Sequence, residues 1–261
     1  MNLVVWNARF FWVTFCAVLA LAPCSAQTLG GEAAAGTISV RHVESLEERP
    51  GGSASQRGAV HESMPEAVRP DARYVFYLHG RIIEEEGPRP THPEYGVYEY
   101  RAILDTLASE GAEVISEMRP PGAGVWEYGE RVATQARNLI AAGVEAHNIT
   151  VIGLSKGGSL AIIASSALAN TEVNFVFLAS CYESIFALPQ ISVAGRILSI
   201  YEASDELGVS CAPLLENARA GSRHEEIRID TGARHGAFYV PRAEWVEPVS
   251  AWIQTETTVR D

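Results

Sequence analysis

The chain has 261 residues with 20 Lys+Arg against 32 Asp+Glu, a formal net charge of −12. That length suffices for one domain with a sizeable core, and so acidic a surface repels phosphate backbones, which argues against nucleic acid as a partner. No Gly-x-Gly-x-x-Gly motif, phosphate-loop lysine or metal-ligand spacing occurs, so neither a nucleotide cofactor nor a metal is implied and the expected cofactor set is none.

Residues 1–26 have the layout of a secretory signal peptide. One charge, Arg9, precedes the apolar run Phe10–Ala22, and Pro23-Cys24-Ser25-Ala26 closes it with small residues, so cleavage is expected after Ala26. The run is shorter than the roughly 20 residues that span a bilayer, and an uncleaved anchor is the alternative. Leu21-Ala22-Pro23-Cys24 fits a bacterial lipid-attachment motif poorly, because Pro23 stands where a small residue is required. The expectation is a periplasmic or secreted protein with no membrane span in the mature chain. Its 19 Lys+Arg face 32 Asp+Glu once Arg9 is removed. Of four cysteines, Cys181 and Cys211 remain after cleavage. An even pair in an oxidising compartment invites a disulfide, with two free buried thiols as the alternative.

Residues 27–70 are rich in Gly, Ala, Ser, Glu and Pro and read as a flexible N-terminal arm, in which only Thr37–Val43 alternates like a strand. A single domain is expected over residues 71–261. Tyr74–Leu78 is a continuous apolar run, the mark of a strand covered on both faces. Residues 97–110 carry Tyr100, Ile103, Leu104 and Leu107 at helical spacing. Val114–Met118 reads as a strand ending at the turn Pro120-Pro121-Gly122. A second amphipathic helix covers residues 127–142, with Val132, Ala136, Leu139 and Ile140 inward. Asn148–Leu154 is a buried strand, Gly153-Leu154-Ser155-Lys156-Gly157 a tight turn, and Ser159 to about Ala169 an apolar helix. Further strands follow at Val173–Ala179, Arg196–Tyr201 and Glu225–Ile229, with a closing helix from Arg242 to Gln254. Strands alternating with helices predict an α/β architecture, a mostly parallel doubly wound sheet with helices on both faces. No insertion is long enough for a large lid; residues 181–195 allow a small cap.

The strand-turn-helix context makes Gly-x-Ser-x-Gly more than a loose motif. A turn this sharp forces Ser155 into a strained conformation and lifts its hydroxyl above the carboxyl edge of the sheet. A serine hydroxyl needs a base to take its proton and a carboxylate to orient that base. Two later strand ends carry them: Glu202-Ala203-Ser204-Asp205-Glu206 and Asp230-Thr231-Gly232-Ala233-Arg234-His235-Gly236. Asp205 is the expected acid, with Glu202 and Glu206 as rivals, and His235 the expected base. The stretch Glu84–Tyr95 reads as a loop whose acids and aromatics either select a polar or cationic substrate or are merely solvated.

Over Arg73–Gln254 these residues resemble the α/β-hydrolase superfamily. The resemblance rests on His79-Gly80 after an early strand, the turn at Ser155, and the order Ser155, Asp205, His235. It implies a serine hydrolase, carboxylesterase-like, acting on a small-molecule acyl substrate through an acyl-enzyme intermediate. It also implies an oxyanion hole from the backbone N–H groups of Lys156 and Arg81, with the Lys156 ammonium a solvated charge. His79 and Gly80 fall at the substrate-binding edge, where His79 is expected to brace the loop by hydrogen bonding. The alternative is a hydrolase-like binding or scaffold protein with a silent triad.

Overall fold

The computed structural model describes residues 57–188 and 190–254; the expected leader with Cys24, and the arm as far as residue 56 with its Thr37–Val43 strand, lie outside the described residues. In chain order the elements are β1 (Val60–His61), β2 (Tyr74–Leu78), α1 (Arg81–Glu86), β3 (Thr91–His92), β4 (Gly96–Val97), α2 (Tyr100–Ser109), β5 (Glu113–Ile115) and α3 (Val125–Ala141). Then come β6 (Ile149–Leu154), α4 (Lys156–Leu168), β7 (Asn174–Leu178), α5 (Glu183–Phe186), β8 (Arg196–Glu202), α6 (Ala212–Leu215), β9 (Arg223–Ile229) and α7 (Ala243–Gln254).

Seven strands form one sheet in the order β1-β5-β2-β6-β7-β8-β9, and each neighbouring pair runs parallel. β3 and β4 make a separate antiparallel hairpin. The apolar run of β2 divides by the period of a strand. Tyr74, Phe76 and Leu78 join one core layer with Val132, Leu139 and Leu160; Val75 and Tyr77 join the other with Ile103, Leu107 and Trp245. Both faces of the sheet are therefore covered, which is why β2, β6 and β7 carry no alternation of polar residues. After β2 the chain adds β5 on one side, then returns to lay β6 on the other. The crevice at such a switch point, outside the carboxyl ends of β2 and β6, is where ligands bind in open α/β sheets. Among the described residues no helix is long and apolar enough to cross a membrane.

Four local expectations are corrected. Val60–His61, in the segment read as an arm, pairs with β5, and Met64 and Val68 pack on the core. The strand expected to run to Met118 stops at Ile115. There the Ser116 hydroxyl donates to Tyr77 O at 2.6 Å and the chain turns away toward two prolines. The acidic stretch after Ile83 is not all loop, because α1 extends through Glu86. The elbow helix begins at Lys156 rather than Ser159. Helix propensity disfavours Gly157 and Gly158, but close packing requires the first of them. A Cβ on Gly157 would lie 1.9 Å from Leu78 O, and one on Gly153 would lie 2.3 Å from Gly157 O. The glycines let α4 press against the ends of β2 and β6.

Candidate active site

Ser155 stands between the last residue of β6 and the first of α4 with φ 54° and ψ −117°. Positive φ is costly for a residue with a Cβ and persists only where its surroundings over-determine it. Here they do: the Ser155 N–H donates to Leu178 O on β7 at 3.0 Å, and Ser155 O accepts the Ser159 N–H at 3.1 Å. The backbone is pinned on both sides, and the side chain borders a cavity of about 900 Å³ at the carboxyl edge of the sheet.

His235 borders the same cavity, on the short 3-10 turn Arg234–Phe238 that follows β9. Its Nδ1 lies 2.7 Å from Asp205 Oδ2, and both residues are buried. The other oxygen, Asp205 Oδ1, accepts the Leu207 N–H at 2.9 Å. An acceptor-only carboxylate at Nδ1 places the imidazole proton there and leaves Nε2 as the basic nitrogen. No hydrogen bond joins Ser155 Oγ to His235 among the described residues.

The three acids of the β8 loop have separate tasks. Asp205 holds His235. Glu206 is exposed and pairs with Arg234 at 3.2 Å. Glu202 is buried and acts as a clamp: Oε2 accepts from Ser204 N and Oγ, while Oε1 accepts from Thr231 N at 2.8 Å and Gly232 N at 3.0 Å. Burial pushes its carboxyl up, but the donors from Ser204, Thr231 and Gly232 prevail and hold it below the usual range. Glu202 thus ties the loop bearing Asp205 to the loop bearing His235. A second tie is covalent. Cys181 and Cys211 form a disulfide with a Cα–Cα distance of 5.3 Å, and the Val209 N–H donates to Cys181 O at 2.9 Å.

On the other flank of Ser155 the structure revises two expectations. His79 is fully buried and does not border the cavity, whereas Gly80 and Arg81 do. The ring contacts of His79 are those of a brace within the loop. Its Nε2 accepts the Arg119 N–H at 3.2 Å, which puts the ring proton on Nδ1, 3.0 Å from Gly80 O. Burial and the neighbouring Arg119 guanidinium lower its pKa to about 3, so the ring stays neutral. In a trans peptide the C=O and N–H point in opposite directions. Holding Gly80 O against the ring therefore turns the Arg81 N–H the other way. The Lys156 ammonium is not a solvated charge either, since it pairs with Glu84, a buried carboxylate that also accepts from Arg119 Nε at 2.8 Å.

The cavity wall holds Tyr95, from the stretch whose aromatics are one candidate for substrate selection, together with two tyrosines that sequence reasoning missed, Tyr182 and Tyr239. Tyr95, Tyr182 and Tyr239 border it, with Ile82, Val125 and Leu207 as apolar wall. Tyr95 stacks on His92 at 4.2 Å and lies 5.6 Å from the His235 ring. Burial raises the Tyr239 hydroxyl to about 12, so it remains a neutral donor. The expected small cap is α5, and Tyr182 and Ser184 at its start reach the wall. Aromatic residues scattered over three loops carry no periodic signal, which is why only the fold collects them.

No protein-family profile matches this chain, and no curated protein sequence matches it. Solved structures do. A putative dienelactone hydrolase from Klebsiella pneumoniae is 13% identical over 73% of this chain and 90% of its own, with a TM-score of 0.50. An arylesterase is 14% identical over 71% and 77%, at the same TM-score of 0.50. The Francisella virulence factor BioJ is 13% identical over 71% and 77%, again at 0.50. At such identities the likeness is one of fold, and the fold of this chain is that of the α/β-hydrolases.

Proposed function

We propose that this chain is an exported serine hydrolase that cleaves a carboxyl ester or related acyl bond. The observation that carries the reading is the buried Asp205–His235 pair at 2.7 Å, bordering the same cavity as a serine held at φ 54°. In this reading His235 Nε2 takes the Ser155 proton as Oγ attacks the carbonyl carbon, and Asp205 stabilises the imidazolium. The Lys156 and Arg81 N–H groups receive the oxyanion, and Lys156 adds the N-terminal end of α4. His235 then protonates the leaving alcohol, and water repeats the sequence on the acyl-enzyme. The open cavity and the short α5 cap favour small or exposed acyl groups over long buried lipids.

The rival reading is a hydrolase-like binding or scaffold protein in which the triad is silent. A fluorophosphonate probe decides between them. Stoichiometric labelling that disappears in Ser155→Ala, with p-nitrophenyl acetate turnover lost in parallel by roughly 10⁶-fold, is expected for the enzyme. No labelling of the wild type, or undiminished turnover in Ser155→Ala, sinks the catalytic reading.

A further inference from the structure

The oxyanion donors assigned above come from two segments 75 positions apart in the chain, Arg81 after β2 and Lys156 after β6. Their separation must be set to a fraction of an ångström if both are to reach one oxygen. Backbone pairing of β2 with β6 ends at Leu78 and Gly153, short of both donors. Beyond that register, side chains span the gap. Lys156 extends its ammonium to Glu84 Oε2 on α1, the helix that begins at Arg81. Glu84 Oε1 takes the Arg119 Nε, and the same guanidinium donates through NH2 to His79 O. Each carboxylate oxygen is used, and the side chains of Glu84, Arg119 and Lys156 are 0%, 2% and 12% exposed. The three charges leave one net positive charge beside the site where oxygen turns negative.

Such a cluster is a poor device for stability alone, because desolvating three charges offsets most of their attraction. Its placement supplies what stability does not require: a cross-link between the residues whose amides form the two halves of the oxyanion hole. We propose that Glu84, bridging Lys156 to Arg119, is a positioning residue that fixes the Arg81 and Lys156 amides relative to each other. This rests on the serine-hydrolase reading. Glu84 touches no reacting atom and acts through α1 and the Lys156 side chain.

The test compares purified wild type, Glu84→Gln, Lys156→Met and Lys156→Arg with p-nitrophenyl acetate and an aryl trifluoromethyl ketone, whose hemiketal adduct with Ser155 Oγ mimics the tetrahedral oxyanion. Turnover by the wild type but not by Ser155→Ala is the prior condition; its failure overturns the hydrolase reading, not this one. A lost oxyanion donor costs on the order of 10²–10³ in kcat, and a misplaced one less. Glu84→Gln and Lys156→Met are therefore each expected to lower kcat about 10- to 100-fold with KM within about twofold, and to weaken the ketone by the same factor as kcat/KM. Lys156→Arg keeps the ion pair and recovers most of the loss. The double variant falls well short of the product of the single effects, because both break one link. A merely structural role lowers the melting temperature and leaves kcat and ketone affinity within about twofold in the folded enzyme, and that result overturns the proposal. Should Glu84→Gln not fold, Lys156→Met decides alone, since its side chain borders the cavity and removes no buried carboxylate. Full activity in that variant overturns the proposal as well.

Discussion

Ser155 is served from two flanks that are built on different principles. The flank after β7, β8 and β9 holds the buried Asp205–His235 pair, which in the proposed mechanism must change its protonation state; Glu202 ties the β8 loop to the β9 loop, and the Cys181–Cys211 disulfide ties the segment after β7 to the one after β8. The flank after β2, β5 and β6 holds Glu84, Arg119 and Lys156 in a closed ion cluster beside a neutral His79. A proton shuttle needs an imidazole whose second nitrogen is free to exchange. An oxyanion hole needs the reverse, donors and charges that do not move or titrate as the reaction proceeds. The two imidazoles show the contrast: among the described residues the His235 ring meets Asp205 and the cavity, while His79 is enclosed on both nitrogens.

The contrast is broken most forcefully at Asp205. Asp205→Asn frees the imidazole tautomer and is expected to lower kcat by about 10⁴-fold with little loss of stability. Glu202→Gln, three residues earlier, keeps the shape of the clamp and is expected to lower kcat less than about 10-fold while lowering the melting temperature. Equal kinetic effects of the two substitutions would mean that the loop's acids have been given the wrong tasks.

Breaking the covalent tie should act on stability first. Replacing Cys181 and Cys211 by serine opens a loop with a sequence separation of 30, and about 3–4 kcal/mol of stability is expected to go in the chain-entropy account. Denaturant unfolding of the oxidised protein against the double serine variant measures it. A drop in kcat that follows the loosened β8 loop would add kinetic weight to that flank, whereas the Glu84 cluster should be indifferent to thiol reductants.

The pH dependence of folding sharpens the comparison further. A histidine whose folded pKa is depressed to about 3 stays neutral while the unfolded chain takes up a proton near 6.5. The folded state therefore loses stability as pH falls from about 6.5 toward 3, by at most about 1.4 kcal/mol per pH unit for one proton. Glu202 adds to the loss lower down, since a carboxyl held below its usual range gives stability that is present above the unfolded pKa and goes as pH falls through the folded one. Unfolding titrations of His79→Gln are expected to flatten the first segment only. An unchanged slope there would assign the proton uptake elsewhere.

The smallest effect is expected at the wall. Tyr95→Phe removes only a hydroxyl and should leave kcat for p-nitrophenyl acetate within about twofold, whereas Tyr95→Ala opens the aromatic stack and raises KM several-fold. Steady-state kinetics with esters of graded acyl length separate a wall that packs acyl groups from one that packs leaving groups.

Local regularities carried much of the architecture. The unbroken apolar runs of β2, β6 and β7 announce strands buried on both faces, and the helical spacing of Ile103, Leu104 and Leu107 matches the inward face of α2. The turn at Ser155 is legible because a strand, a serine flanked by glycines and a helix must occur in that sequence to make it. The start of α4 was misjudged because helix propensity counts two glycines as breakers, while the close approach of Leu78 O leaves no room for anything larger. Glu84 was misjudged for a related reason. Beside Glu85 and Glu86 it looks like part of a solvated acidic run, and its partners lie 35 and 72 positions away.

By itself, then, the sequence determined the order of elements, the tight turn at Ser155 between a strand and a helix, and the strand ends that carry Asp205 and His235, because each follows from neighbours along the chain. Which carboxylate does what was decided only by the tertiary structure. Asp205 and Glu202 share one loop, yet one meets His235 and the other backbone N–H groups; Glu84 and Glu85 are consecutive, yet one is buried in an ion cluster and the other exposed. Charge and hydrogen-bond partners are set by sheet order, which brings the ends of β2, β5 and β6 together on one flank and those of β8 and β9 on the other. Local periodicity carries no information about that assembly, and so none about which buried charge will find its counter-ion.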